Sequence, residues 1–216
     1  LESGIYSFKI EKKELKIIQS INLEEYRLND GFLDENNILW FGIMPKDDNL
    51  ISSNKKSALY SFSIQTGLII EDNDYYIPNG PLVSKDKKWL YHSDSMLGFI
   101  YRYPYSKQKL DTKKREIFFN SNNYSNNNPS PDGMTLDIEG NLFVAMWGIG
   151  EVWKIDNFSN LIGRFKIIGT NTTNVCFGGN GYDTLLVTYA KSKKLPGGIQ
   201  LLNNHKTKGT EIKFAL

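Results

Sequence analysis

The chain has 216 residues, and its 26 Lys and Arg nearly balance its 24 Asp and Glu, which leaves a net charge of only +2. No basic block is interleaved with aromatic residues, so this balance argues against a nucleic-acid partner. No stretch approaches the roughly 18 to 20 apolar residues of a membrane span, and the first ten residues resemble no signal peptide. The single cysteine, Cys176, cannot form an internal disulfide, so we expect a cytoplasmic rather than a secreted protein.

The chain repeats one pattern four times. Each unit begins with a strand entered beside a polar residue, continues through a turn of Asp, Asn, Gly or Lys, and ends with further strands that are often aromatic. The four units, called blades I to IV here, begin at Arg27, Tyr76, Ser130 and Thr172.

The strands of these units have the two-residue period of half-buried β-structure. In "GFIYRYPY", Phe99, Tyr101, Tyr103 and Tyr105 share one face. Repeated four-stranded units are typical of β-propeller blades, which pack radially around a central channel. We therefore expect an all-β chain, with residues 1–216 forming a single partial propeller domain.

The segment before Arg27 is predicted to form half a blade. "GIYSFKI" reads as a strand, and "KKELKIIQSINLEEY" fits either a strand or a short helix, of which we favour the strand. The total is about four and a half blades of antiparallel sheet, with "TEIKFAL" as the last strand of blade IV. A ring of that size has an open flank, so we expect one of three explanations: an absent upstream segment, a second chain that completes the ring, or an irregular fold.

One polar residue recurs at the entrance to the innermost strand of each blade. These residues are Asn29, Asn79, Asp132 and Asn174. Because innermost strands border the channel, the four side chains are expected to meet at one mouth, where their oxygens suit a divalent cation. The alternative is that each is an ordinary turn residue, since "PNG" and "PDG" are good turn sequences.

Other candidate residues carry less weight. A Ser-His-Asp triad around His92 is disfavoured, because its neighbours Ser93 and Asp94 alternate faces along a strand. Cys176 is expected to be a buried packing residue rather than a nucleophile. The four tryptophans are expected to pack between blades, although Trp147 has the alternative of reaching the channel mouth.

Several motifs resemble a known family. "RLNDGFLD", "IPNGP", "SPDGMTLDIEGNLFVAMWGIGEVWKID" and "CFGGNGYDTLLVTYAK" stand in the order found in the gluconolactonase, regucalcin (senescence marker protein) and luciferin-regenerating enzyme family. The resemblance runs from Arg27 to the C-terminus. It implies a six-bladed β-propeller that holds one divalent metal ion (Ca, Zn, Mg or Mn) in its channel and hydrolyses small lactones or related esters.

The resemblance also implies roles for individual residues. Asp132 matches the metal-binding aspartate that is also a candidate general base, and Asn79 matches the metal-binding asparagine. Arg27 and Asn29 match the pair that contacts substrate oxygens, and Asp47 falls near an acidic substrate-contacting position where the match is loose.

The sequence differs from the family at the remaining metal ligand. That ligand is a glutamate in a Gly-Glu-Ser/Gly-Pro motif of the family's first blade, and the sequence contains no such motif, since Glu2 in "LESG" is followed by strands in the wrong phase. A site with one carboxylate fewer should bind a divalent ion more weakly.

Two hypotheses follow. The first is a metal-dependent hydrolase of small lactones, complete when the missing glutamate is supplied. The second is a propeller that has lost catalysis and acts as a ligand- or protein-binding module.

Overall fold

The computed structural model describes residues 4–47, 57–203 and 206–210. The regular secondary structure of these residues is almost entirely β-strand, with two single-turn 3-10 helices at Thr112–Lys114 and Ser121–Asn123. Within the described residues no helix is long and apolar enough to cross a membrane.

The strands form an N-terminal hairpin and four blade-like sheets. The hairpin pairs β1 (Gly4–Lys9) with β2 (Glu14–Ser20). Blade I has the order β3 (Tyr26–Leu33), β4 (Leu39–Pro45), β5 (Ser57–Ser63), β6 (Gly67–Tyr75). Blade II contains β7 (Pro78–Val83), β8 (Trp89–Asp94), β9 (Phe99–Ser106), β10 (Lys109–Leu110) and β11 (Glu116–Asn120), the last two both pairing with β9. Blade III has the order β12 (Ser130–Leu136), β13 (Leu142–Trp147), β14 (Glu151–Ile155), β15 (Leu161–Lys166), and blade IV the order β16 (Thr172–Gly178), β17 (Thr184–Tyr189), β18 (Gly198–Leu202).

All the strand pairs are antiparallel, and sequential strands of a blade are neighbours except for β11 in blade II, which pairs with β9 rather than with β10. The first strand of each blade faces the next blade: β3 packs against β7, β7 against β12, and β12 against β16. This arrangement confirms the all-β propeller architecture expected from the repeat. The predicted strand "GIYSFKI" and the strand rather than helix in "KKELKIIQSINLEEY" are also confirmed. The predicted strand "TEIKFAL" lies outside the described residues except for Thr210.

The core lies between the blades. Trp40, Tyr75 and Tyr103 belong to an apolar cluster between blades I and II, Trp153 to one between blades II and III, and Phe143 to one between blades III and IV. All five rings are fully buried. Removing a buried ring of this size costs about 3 to 5 kcal/mol, so these contacts fix how far apart adjacent inner strands lie.

His92 is a polar exception within this core. It lies in β8, fully buried, with its ring 4.6 Å from that of Tyr75, and neither ring nitrogen has a hydrogen-bond partner in the described residues. Burial lowers the pKa of His92 to about 3. His92 therefore packs in the core against Tyr75 of blade I.

We expect His92 to make folding sensitive to acid. Between pH 6.5 and about 3 the unfolded chain binds a proton at His92 that the folded chain excludes. The free energy of unfolding should therefore fall as pH falls through this window, by up to about 1.4 kcal/mol per pH unit from this residue. His92→Leu and His92→Gln should both flatten that dependence, as measured by urea unfolding across the window. A slope that is unchanged in both variants would contradict this account.

Candidate functional site

A cavity of about 710 Å³ lies where the innermost strands of the four blades begin. The four polar residues identified from the repeat all line it: Asn29, Asn79, Asp132 and Asn174. Arg27 lines the same cavity. The structure therefore brings together, from four blades, side chains that are as much as 145 positions apart in the sequence, counted from Asn29 to Asn174.

Each inner strand is irregular where its polar residue enters the cavity. The pairing register shifts between Leu28 and Gly31 in β3, and between Asn79 and Leu82 in β7. Corresponding shifts lie between Pro131 and Met134 in β12 and between Thr172 and Asn174 in β16. A β-bulge redirects a side chain and ends regular pairing, which explains how these polar groups turn toward the channel.

Glycines let the inner strands approach one another at this level. Gly80 has φ +52°, and a Cβ there would lie 2.5 Å from the backbone oxygen of Asp132. A Cβ on Gly133 would lie 2.2 Å from Cγ of Asn174. The glycines that follow Asn79 and Asp132 in the motifs are thus required by close contact between blades.

A chain of hydrogen bonds links three blades through the site. Nη1 of Arg27 donates to Oδ1 of Asn29 (2.7 Å), and Nδ2 of Asn29 donates to Oδ1 of Asn79 (2.6 Å). Nδ2 of Asn79 donates to Oγ of Ser95 (2.8 Å), and that hydroxyl donates to the backbone oxygen of Pro131 (2.7 Å).

Ser95 fixes the orientation of the Asn79 amide. A hydroxyl has one proton to donate, and Ser95 gives it to Pro131, so Ser95 must accept a hydrogen bond from Asn79. The Asn79 amide oxygen is thereby directed away from Ser95 and toward Asn29.

Asp30 is a second carboxylate in the cavity, and the sequence pattern did not reveal it. Its side chain accepts hydrogen bonds from the backbone N–H groups of Gly31 (2.9 Å) and Gly80 (3.1 Å) and from Nδ2 of Asn174 (3.3 Å). Burial raises the pKa of Asp30, although the two backbone hydrogen bonds oppose this effect. Asp30 follows Asn29 directly, and regular strand alternation would have placed it on the opposite face.

Asp132 is in an electrostatically unfavourable position when ionised. Burial raises its pKa well above the usual range, and the negative charge of Asp30 raises it further. The N–H of Gly133 and the charge of Arg27 act in the other direction without reversing the shift. No ion pair joins Asp30 or Asp132 to a cationic side chain among the described residues.

This donor set suits a hard cation. Two half-buried carboxylates repel each other, and amide oxygens line the same cavity, which is the oxygen-rich chemistry that Ca²⁺, Mg²⁺ or Mn²⁺ prefers. The described residues contain no group of three His, Cys, Asp or Glu side chains able to hold a metal. A bound ion would therefore depend on Asp30 and Asp132 with amide oxygens such as that of Asn79.

A family model described as the SMP-30/gluconolactonase/LRE-like region matches residues 1–191. The chain belongs to this family. Its similarity to pentonolactonase XacC of Haloferax volcanii is 29% identity over 164 residues. Among solved structures, a luciferin-regenerating enzyme superposes with a TM-score of 0.88 at 26% identity, and the regucalcin of Agrobacterium tumefaciens, described as a calcium-binding protein, with 0.86 at 24%.

The matches cover most of this chain but only part of each family member. The match to the pentonolactonase spans 76% of this chain and 53% of that protein. The match to the luciferin-regenerating enzyme spans 100% of this chain and 76% of that enzyme. The match to the Agrobacterium regucalcin spans 99% of this chain and 73% of that protein. The architecture shared with these family members confirms the propeller expected from the motifs.

Two of the remaining residues considered from the sequence, Asp47 and Cys176, do not line the cavity. Asp47 lies just beyond β4, is exposed, and does not line the cavity, and the residues that follow it at 48–56 lie outside the described part. Its assignment as a substrate contact stays a prediction. Cys176 lies in inner strand β16 as expected, but the expectation that it is buried is wrong, because the alternation of β16 places it on an exposed face.

We expect Gly133→Ala to displace the side chain of Asn174 in the cavity. The added methyl group would overlap Asn174, so the side chain that donates to Asp30 must move. The cost should be about 1 to 3 kcal/mol, as for other overpacked sites. Urea unfolding measures the cost, and NMR of the Asn174 side-chain amide detects the displacement.

Gly163→Ala provides the matched control. It lies in β15, where the nearest atom to an added Cβ is a side-chain carbon at 3.3 Å. This variant should leave the Asn174 resonance in place. Equal shifts of that resonance in both variants would argue against the close contact.

Proposed function

We propose that this protein hydrolyses small sugar lactones in the cavity between its four blades, with the help of one divalent cation. The observation that carries the proposal is the half-buried pair Asp30 and Asp132, which shares one cavity with the oriented amide of Asn79. Membership of a lactonase family supports the reaction class, and the pentonolactonase similarity supports a sugar lactone as substrate.

Asp132 is suited to act as the general base. Burial beside Asp30 raises the pKa of Asp132 in the cavity without a cation, so its carboxylate has a strong tendency to take up a proton. In the proposed reaction Asp132 accepts a proton as the oxygen of water bonds to the lactone carbonyl carbon. The ring C–O bond then breaks, and Asp132 returns the proton to the alkoxide oxygen, which gives the open-chain hydroxy acid.

Arg27 and Asn29 are suited to hold the substrate. The Arg27 guanidinium is exposed and lines the cavity, and its bond to Asn29 keeps one edge in place. Its remaining N–H groups can donate to the carbonyl oxygen, where negative charge develops during the attack.

Asp132, Asp30 and Asn79 are the residues proposed to hold the cation. When bound there, a divalent ion would supply Lewis-acid polarisation of the carbonyl and a lowered pKa for a coordinated water. The carboxylates must lose their protons for the ion to bind, so affinity should increase with pH. Asp30 also provides a second carboxylate within this chain, a role that the family resemblance reserved for a glutamate absent from it.

The proposal concerns the whole protein, because the chain spans only 53% to 76% of the family members compared above. We propose that further sequence or a second chain closes the ring and completes the ligand set. The expected setting is the cytoplasm, with a lactone or sugar acid as the partner molecule.

Replacing Asp132 with Asn should lower lactone hydrolysis by at least about 100-fold, because the variant keeps the shape of the side chain but cannot accept the proton. Replacing Asp30 with Asn should weaken cation binding by about tenfold or more through loss of one ligand charge. Base uptake at constant pH with a pentonolactone and D-glucono-1,5-lactone measures hydrolysis, and calorimetry with Ca²⁺, Mg²⁺, Mn²⁺ and Zn²⁺ measures binding. EDTA should abolish the activity.

Asp156→Asn serves as the control. Asp156 accepts hydrogen bonds in the β14–β15 turn, which an asparagine oxygen can also accept, and it lies away from the cavity. Full activity in Asp132→Asn would remove that residue from the mechanism. If the intact protein binds none of these cations and hydrolyses neither lactone, the binding-module hypothesis is favoured instead.

Ser95→Ala should weaken cation binding by about tenfold, the range seen when the support of a metal ligand is lost. Without Ser95, the Asn79 amide can rotate and present its NH₂ group to the cation. Ser93→Ala is the matched control, because Ser93 is also buried and its hydroxyl donates to the backbone oxygen of Asp132 (3.4 Å), whereas the described residues show no hydrogen bond between that hydroxyl and Asn79. Calorimetric titration compares the two variants, and equal losses would refute an orienting role for Ser95.

A further inference from the structure

Trp147 differs from the other three tryptophans of the protein. The indole N–H groups of Trp40 and Trp153 donate to carboxylates, and the ring of Trp89 lies 4.3 Å from the guanidinium carbon of Arg102. The indole of Trp147 has neither a hydrogen bond nor a ring contact to any part of the protein that the structure describes, and the residue's exposed fraction is 38%. It lines the cavity that contains Asp132.

Trp147 belongs to an apolar rim around the polar centre of the cavity. It ends β13, the second strand of blade III, while Met44 lies in β4, the second strand of blade I. Met96 follows β8, the second strand of blade II, and is 52% exposed. Most of the polar side chains come from the innermost strands, with Ser95 after β8 as an exception, whereas these three apolar side chains belong to or follow second strands.

This division matches the surface of a ring-shaped sugar lactone. Such a molecule presents its carbonyl and hydroxyl oxygens at the edge and C–H groups on a flat face. An exposed indole without a partner offers a rigid apolar surface of similar size, and covering it removes apolar area from water. The open-chain acid produced by hydrolysis has no comparable flat face.

We propose that Trp147 is the platform on which the substrate ring lies, with Met96 beside it, and that it makes the site selective for cyclic over open-chain sugars. This inference rests on the proposed function, because it assigns the substrate class of the same cavity. Trp147 is a binding and specificity residue in this account and takes no part in proton transfer.

Steady-state kinetics of three variants test the proposal. Trp147→Ala should raise KM for D-glucono-1,5-lactone about tenfold and change kcat less than about threefold, because stacking holds substrate and transition state alike. Trp147→Phe should keep KM within about threefold, since it retains an aromatic face. Trp89→Phe, far from the cavity, should match the unmodified protein. An unchanged KM in Trp147→Ala would overturn the platform.

Tryptophan fluorescence provides a readout that needs no catalysis. We expect 1,5-anhydro-D-glucitol, a ring without a carbonyl, to change the emission of the unmodified protein and of Trp89→Phe but not of Trp147→Phe. Its acyclic counterpart, D-glucitol, should have no effect at the same concentration. An equal response to both polyols, or a response that persists in Trp147→Phe, would refute the inference.

The two experiments separate the platform from the hydrolase. Ring binding through Trp147 without any lactone hydrolysis would overturn the proposed function and support the platform. Lactone hydrolysis that is unchanged in Trp147→Ala would overturn the platform and support the proposed function. Circular dichroism and thermal unfolding should show Trp147→Ala to be folded, because the removed side chain is partly exposed and has no hydrogen bond within the described residues.

Discussion

The close approach of the innermost strands is the constraint on which the site depends. Gly80 and Gly133 each leave room for one neighbouring blade, and a methyl group at either position would overlap that neighbour. The register shifts occur at the level of the cavity in all four blades, so close contact between the strands and irregular pairing within them act together to form the site. In β3 and β16 the shift brings two consecutive residues to the cavity, Asn29 with Asp30 and Thr173 with Asn174, which regular alternation would place on opposite faces.

The same closeness creates the electrostatic tension of the cavity. Side chains from separate blades are brought together in a partly buried cavity, where like charges repel more strongly than they do at the surface. The raised pKa of Asp132 reflects burial and the charge of Asp30, and the raised pKa of Asp30 reflects burial. A carboxylate that is costly to ionise in the empty cavity is stabilised most when it binds a proton or a cation. The packing of the inner strands therefore favours the proposed chemistry, because it makes these carboxylates costly to ionise.

The sequence predicted the periodic part of the structure and missed the irregular part. Asn29, Asn79, Asp132 and Asn174 were identifiable because they recur at one phase of a visible repeat. Asp30 was not, because strand alternation places it opposite Asn29, and only a register shift brings both into the cavity. Ser95 was overlooked as the support of Asn79 for a related reason: it lies just beyond the second strand, and its role depends on a contact with blade III that is distant in sequence. The same exposed phase of β16 explains the wrong prediction for Cys176, since an inner strand buries only part of its length between neighbours.

The radial change in polarity shows how the fold separates binding from catalysis. Each blade has one innermost strand, and the packing of neighbouring blades constrains these strands. Their side chains can therefore be held in fixed hydrogen-bonded positions, as Asn79 is by Ser95. Second strands end at the cavity rim, where Met96 and Trp147 are partly exposed and make fewer demands on the packing. Substitutions at the rim should therefore alter which ring is bound at little cost in stability, whereas substitutions at the axis disturb packing and chemistry together. A propeller built in this way can change its substrate while it keeps its reaction, because the two properties are carried by different strands of the same blades.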